Sequence, residues 1–122
     1  MNNISNIFVA LVCFIHWYIV VLEMFLWTKP FGLKTFRMTL EKAKDTAVLA
    51  ANQGLYNGFL AAGLLWSLLH PEPEFSFQLK LFFLGCVLIA GIYGAITVGK
   101  KILYVQAMPA LIGLILVWLS AH

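Results

Sequence analysis

The sequence predicts an all-α integral membrane protein, a four-helix bundle with both termini outside (N-out/C-out), in which residues 1–122 make a single four-span domain. Three observations carry that expectation. The chain is 62% hydrophobic and only 11% charged, against about 25% charged residues in a soluble domain. Four apolar runs, each near the roughly 20 residues needed to cross hydrocarbon, nearly exhaust the length. The basic residues, finally, gather in the connections between those runs. A soluble fold of this size exposes too large a fraction of its surface to hide so much apolar area. Disorder demands the opposite composition.

The first run covers approximately residues 4–27 and holds one formal charge, Glu23. It lacks the basic start, short apolar stretch and small-residue cleavage site of a signal peptide, so it reads as span one. From Thr28 to Asp45 the basic residues Lys29, Lys34, Arg37, Lys42 and Lys44 alternate with Phe31, Leu33, Phe36, Met38 and Leu40, a pattern suited to a segment lying on a membrane surface. Pro30 and Gly32 break the first helix, and Thr39 is placed to cap the next, which begins near Leu40 in water. Span two follows over approximately 46–69 and stops at the polar turn His70-Pro71-Glu72-Pro73-Glu74. Span three covers approximately 77–99, Lys100 and Lys101 mark a tight reversal, and span four covers approximately 102–120. Pro109, inside span four, denies the carbonyl of Val105 its helical donor, so a kink or a polar partner is expected there.

Seven of the eight Lys and Arg residues fall in the connections after spans one and three; Lys80 alone is counted with the connection after span two. The positive-inside rule then puts the first and third connections in the cytoplasm and both termini outside. The net charge of +3 is thereby a matter of orientation, and no nucleic-acid partner is expected. Cys13 and Cys86 lie within apolar runs at similar depths, which is no disulfide framework.

Polar side chains inside spans are the strongest functional signal, since each is costly in hydrocarbon. Span one supplies His16 near mid-bilayer and Glu23 near the cytoplasmic end, on one face but two turns, about 10 Å, apart. Span two supplies Asn52, Gln53, Tyr56 and Asn57, span three Tyr93 and Thr97, and span four Tyr104 and Gln106. With the orientation above they converge on the cytoplasmic half, leaving the outer half aliphatic. That distribution predicts a cytoplasm-side polar pocket whose candidates are His16, Glu23, Asn52, Gln53, Tyr56, Asn57, Tyr93 and Gln106. Asn and Gln also serve as simple hydrogen-bonding links between helices, and tyrosines near an interface serve as belt residues.

Ala50, Gly54, Gly58 and Ala62 form a small-residue stripe along span two, and Gly91, Ala95 and Gly99 form another along span three. Such stripes let helices approach closely, within the bundle or in a homo-oligomer. Cys13 and His16 have i, i+3 spacing, but two ligands fall short of a metal site, and none is expected. No phosphate loop, nucleophile elbow or catalytic triad pattern is present, and nothing in the pattern names a cofactor.

Several runs resemble a known family. Leu22-Glu23-Met24-Phe25-Leu26-Trp27, the stretch from Leu49 through Asn52-Gln53-Gly54-Leu55-Tyr56-Asn57-Gly58 to Leu64, Leu81-Phe82-Phe83-Leu84-Gly85-Cys86, Ala90-Gly91-Ile92-Tyr93-Gly94-Ala95 and Gln106-Ala107-Met108-Pro109-Ala110 are similar to small bacterial membrane proteins of the domain-of-unknown-function family 1304. The resemblance covers essentially the whole chain and implies four helices in a bacterial plasma membrane, with no catalytic residues to carry over. Size, span number and a glutamate in span one also look like the small multidrug transporters, although the seven-to-one charge bias differs from their antiparallel pairing. The polar stretch of span two faintly resembles that of small glutathione-using membrane enzymes, without their arginine and histidine.

The expected role is binding of a small amphipathic or lipophilic molecule for transport or sensing, with the lipid bilayer as the other partner. Glu23 would supply charge, Asn52, Gln53, Asn57 and Gln106 hydrogen bonds, and Tyr56 and Tyr93 a wall. Two other readings stand beside it. One is a membrane enzyme acting on a lipid or quinone with His16 or Glu23 as acid/base; the other is a structural subunit with no ligand.

Overall fold

A computed structural model describes residues 3–121. They are helical throughout, with no strand among the described residues. Helix α1 is Asn3–Met24, α2 Pro30–Phe36, α3 Leu40–Leu69, α4 Pro73–Thr97, α5 the single turn Lys100–Ile102, and α6 Met108–Ala121; a π-helical turn, Leu103–Ala107, joins α5 to α6. Three stretches are long and apolar enough to cross a membrane: Ile4–Met24, Pro73–Thr97 and Lys100–Ser120. Helix α3, with 30 residues, is long enough but is not among them. Glu41, Lys42, Lys44 and Asp45 at its start, and Asn52, Gln53 and Asn57 further on, dilute its apolar content.

Most helix limits follow from local chemistry. The Thr39 hydroxyl accepts the Lys42 N–H at 3.2 Å and so caps α3 as expected. Pro30, expected to break the first helix, instead opens α2: α1 has already ended at Met24, and proline sits in the first turn of the new helix, where its missing N–H costs nothing. Pro73 does the same for α4. That earlier start places Lys80 in the second turn of α4, inside a membrane-capable helix and only 2% exposed, rather than in a connection. Ahead of Pro109 the helix widens into the π turn, and the Met108 N–H reaches the Leu103 carbonyl five residues back.

The chain forms two compact units, Met1–Ile15 with Leu60–His122, and His16–Phe59. In the first, Val9, Val12 and Cys13 of α1, Ala61 and Leu64 of α3, Leu84 and Val87 of α4, and Ala110 and Val117 of α6 share one core. The Cys13 thiol donates to the Ala61 carbonyl at 3.3 Å, and both cysteines are free. Helix α4 lies along α6 and the π turn. At Gly91 the approach is tightest: a Cβ there would stand 2.7 Å from the Ala107 nitrogen and 2.8 Å from its Cβ. In the second unit, α2 folds back so that a Cβ on Gly32 would collide with the Leu26 carbonyl oxygen. The Trp27 indole N–H donates to the Thr46 hydroxyl at 3.1 Å, fixing the connection to α3.

Exposure is inverted relative to a soluble protein. Along α1, Ile7, Leu11, Phe14, Tyr18 and Val21 are exposed while Ser5 and His16 are wholly buried. On α4 the exposed series is Phe75, Phe82, Ile89, Ile92 and Ile96, and the buried one includes Ser76 and Lys80. Apolar side chains outside and polar ones inside suit a lipid exterior.

Gly91→Ala is expected to lower stability by about 1–3 kcal/mol, because the atoms in its way are largely backbone and cannot turn aside. Gly85→Ala, whose Cβ meets nothing within 4 Å, is expected to be silent. Thermal unfolding of the detergent-solubilised protein compares the two; equal behaviour would contradict the packing described.

Candidate functional site

Of the eight candidate pocket residues, Glu23 and Asn57 are joined directly. Near the end of α1, Glu23 is half-buried, and its Oε1 accepts a hydrogen bond of 2.6 Å from Asn57 Nδ2 of α3. Gly54, one turn before Asn57, makes the approach possible: a Cβ there would stand 2.5 Å from Met24 Cγ and 3.2 Å from Glu23 Cβ. Gly58 is less constrained, with Val20 Cγ2 at 3.7 Å from its hypothetical Cβ. The small-residue stripe of α3 therefore serves contact within the chain at Gly54. The Asn57 amide is neutral, and among the described residues no lysine or arginine pairs with Glu23.

His16 has no exposed surface and is engaged by its surroundings. Asn52 and Gln53 lie on the exposed side of α3. Tyr56 is also exposed, with its ring 6.2 Å from that of Phe59. Tyr93 on α4 is 69% exposed. Gln106 sits half-buried in the π turn and is engaged there. Among the described residues, every buried side-chain nitrogen or oxygen has a hydrogen-bond partner.

A polar cluster that the sequence reasoning missed lies in the first unit, in the half expected to be aliphatic. Lys80 Nζ donates to Asn6 Oδ1 at 2.7 Å. One turn earlier on α4, the Ser76 hydroxyl donates to the Ser67 carbonyl at 2.6 Å, and the Ser67 hydroxyl donates to the Leu64 carbonyl at 2.5 Å. Ser5 is buried beside Asn6 in the chain. The signal was available in the spacing: positions 76, 80, 84, 87 and 91 form one helical stripe, all buried, so Lys80 belongs to the inward face. Beside this cluster, the start of α4 and the end of α3 line a shallow cleft with Trp66, His70, Phe75 and Phe82. His70 Nδ1 accepts the Glu72 N–H at 3.1 Å.

Comparison with known proteins adds the family. The profile described as "Protein of unknown function (DUF1304)" matches residues 10–118. The chain belongs to the DUF1304 family. It is also similar to the Uncharacterized protein YpaA of Lactococcus lactis subsp. lactis (strain IL1403), with 30% identity over 117 residues, covering 94% of this chain and 97% of that one. No solved structure matches it. All the runs carrying the resemblance in the sequence fall within the matched part of this DUF1304 chain, as do both bonded partners of the Glu23–Asn57 pair; Asn6 lies before it.

In this DUF1304 protein the buried ammonium of Lys80 depends on Asn6. Asn6→Ala is expected to cost about 1.5–3 kcal/mol, the range for a hydrogen bond to a charged group. Adding Lys80→Met should recover most of that loss, because an apolar side chain of similar length needs no partner. Denaturant titration of the single and double variants tests the dependence, and a silent Asn6→Ala would contradict it.

Proposed function

We propose that the chain is a four-span protein of the bacterial plasma membrane, N-out/C-out, that binds a small amphipathic or lipophilic molecule at Glu23 and Asn57 from the cytoplasmic side. Helix α3 is the fourth span in this reading. Its shortfall in apolar content comes from a charged first turn and from Asn52, Gln53 and Asn57, while Val48, Leu49, Leu55, Phe59, Leu65 and Leu69 give it an exposed apolar surface. The charge bias places Lys34 in the cytoplasm and Glu72 outside.

The observation that carries the ligand reading is the Glu23–Asn57 pair. A carboxyl group in a membrane-capable helix, held by one neutral amide, offers in its ionised form a negative charge that a protonated amine or other organic cation can complement. Intramembrane ionisable groups of this kind mark ligand or proton pathways far more often than their frequency suggests. Within the same unit, His16 would orient polar groups of the ligand, Asn52 and Gln53 would meet it at the exposed side, and Tyr56 would offer a ring surface. A structural reading is favoured by a different observation, the pairing of every buried polar side-chain atom among the described residues. In that reading the same groups only lock helices together.

The two readings separate at Glu23→Gln. The glutamine carbonyl still accepts from Asn57, so stability should change by less than about 1 kcal/mol, in line with hydrogen bonds measured between helices in membranes. Binding of a lipophilic cation such as tetraphenylphosphonium, followed by equilibrium dialysis of protein reconstituted in nanodiscs, should fall at least tenfold. Unchanged binding, or none by the native protein, would leave the structural reading. Orientation is tested by single cysteines introduced at Glu72 and Lys34: an impermeant maleimide added to whole cells should label the first and spare the second. Equal labelling would overturn the topology.

A further inference from the structure

The segment joining α1 to α3 carries charge that the Glu23–Asn57 site does not use. Lys29, Lys34, Arg37, Lys42 and Lys44 face only Glu41 and Asp45 in the same stretch, and all seven are exposed. None of the five basic side chains takes part in an ion pair among the described residues. Phe31, Phe36 and Leu40 stand between them, 52%, 39% and 45% exposed. Phe31 and Lys34 are three apart on α2 and share its face.

This platform is built rather than loose. The Phe36 ring lies 4.8 Å from that of Trp27, and the Trp27 indole is tied to Thr46. The Thr35 hydroxyl donates to the Phe31 carbonyl at 2.7 Å. Arg37 ends α2 in the left-handed conformation, φ 52°, and the following Met38 N–H returns to the Leu33 carbonyl at 3.1 Å. A surface ordered before it meets its partner loses less conformational freedom on binding. Basic groups interleaved with exposed aromatic and aliphatic tips match one kind of partner in both respects: a layer of phosphate diesters over acyl chains. A membrane-capable helix ends at Met24, only a short connection before α2, which holds the platform at that level.

We propose that the α2 platform is a docking surface for anionic phospholipid. Phe31, Phe36 and Leu40 enter the boundary between headgroups and acyl chains, while Lys34, Arg37 and their basic neighbours collect phosphates. The proposal rests on the membrane-spanning reading and is independent of any ligand at Glu23.

The test uses the full chain in nanodiscs of equimolar phosphatidylcholine and phosphatidylglycerol, with retained lipids counted by native mass spectrometry. The native protein should retain phosphatidylglycerol in preference. Lys34→Gln with Arg37→Asn, asparagine being tolerant of the left-handed turn, should reduce that preference on the order of five-fold or more. Lys100→Gln with Lys101→Gln removes the same charge from a connection in which no aromatic is interleaved with the basic residues and should leave the preference largely intact. Equal loss in both double variants would reduce the effect to bulk charge attraction and overturn the proposal; so would an absence of preference in the native protein. Extraction of the native protein from membranes by alkaline carbonate would instead defeat the spanning reading itself.

Discussion

In a bilayer, a helical protein with an apolar exterior cannot be held together by removing oily side chains from water. Its cohesion depends on two other things: backbones that come close, and buried polar groups that find one another. Both requirements are visible here. Gly91 brings α4 onto the π turn and Gly54 brings α3 onto the end of α1. The inward-facing polar side chains, from Ser5 and His16 to Ser76 and Lys80, are paired without a buried orphan among the described residues.

Glu23 and Lys80, each within a membrane-capable stretch, are treated alike. Glu23 is met by Asn57 and Lys80 by Asn6, in each case by an asparagine from a different helix. A carboxamide suits both tasks, since its NH₂ donates to a carboxylate and its carbonyl accepts from an ammonium. Being neutral, it satisfies the polar atoms of either group without the compensating charge of a salt bridge.

Much of this was legible from residue order. The apolar runs, the turn at His70–Glu74 and the cap at Thr39 all follow from local rules of hydropathy and capping. The pairing of Glu23 with Asn57 could not be read locally, because nothing in a sequence sets the rotation of one helix about another by 34 positions of separation. That same rotation puts Asn52, Gln53 and Tyr56 outward though they are polar neighbours of Asn57. Lys80 was misplaced for a different reason. A lysine seven residues after a Pro-Glu-Pro turn looks like loop until Pro73 is recognised as the first residue of the helix. Its helical stripe with Leu84, Val87 and Gly91 then becomes the decisive pattern.

The widened turn ahead of Pro109 has a consequence for how this chain can vary in length. A π turn accommodates one more residue than an α-helix would over the same rise, so the faces on its two sides are offset by about 100° from continuous α-helical register. Elsewhere in the helices, losing a single residue would swing every side chain beyond it away from its neighbours. Within Leu103–Ala107, by contrast, a one-residue deletion could be absorbed by reversion to ordinary α-helix. The fold therefore has a built-in splice point, and insertions or deletions among its relatives should concentrate there.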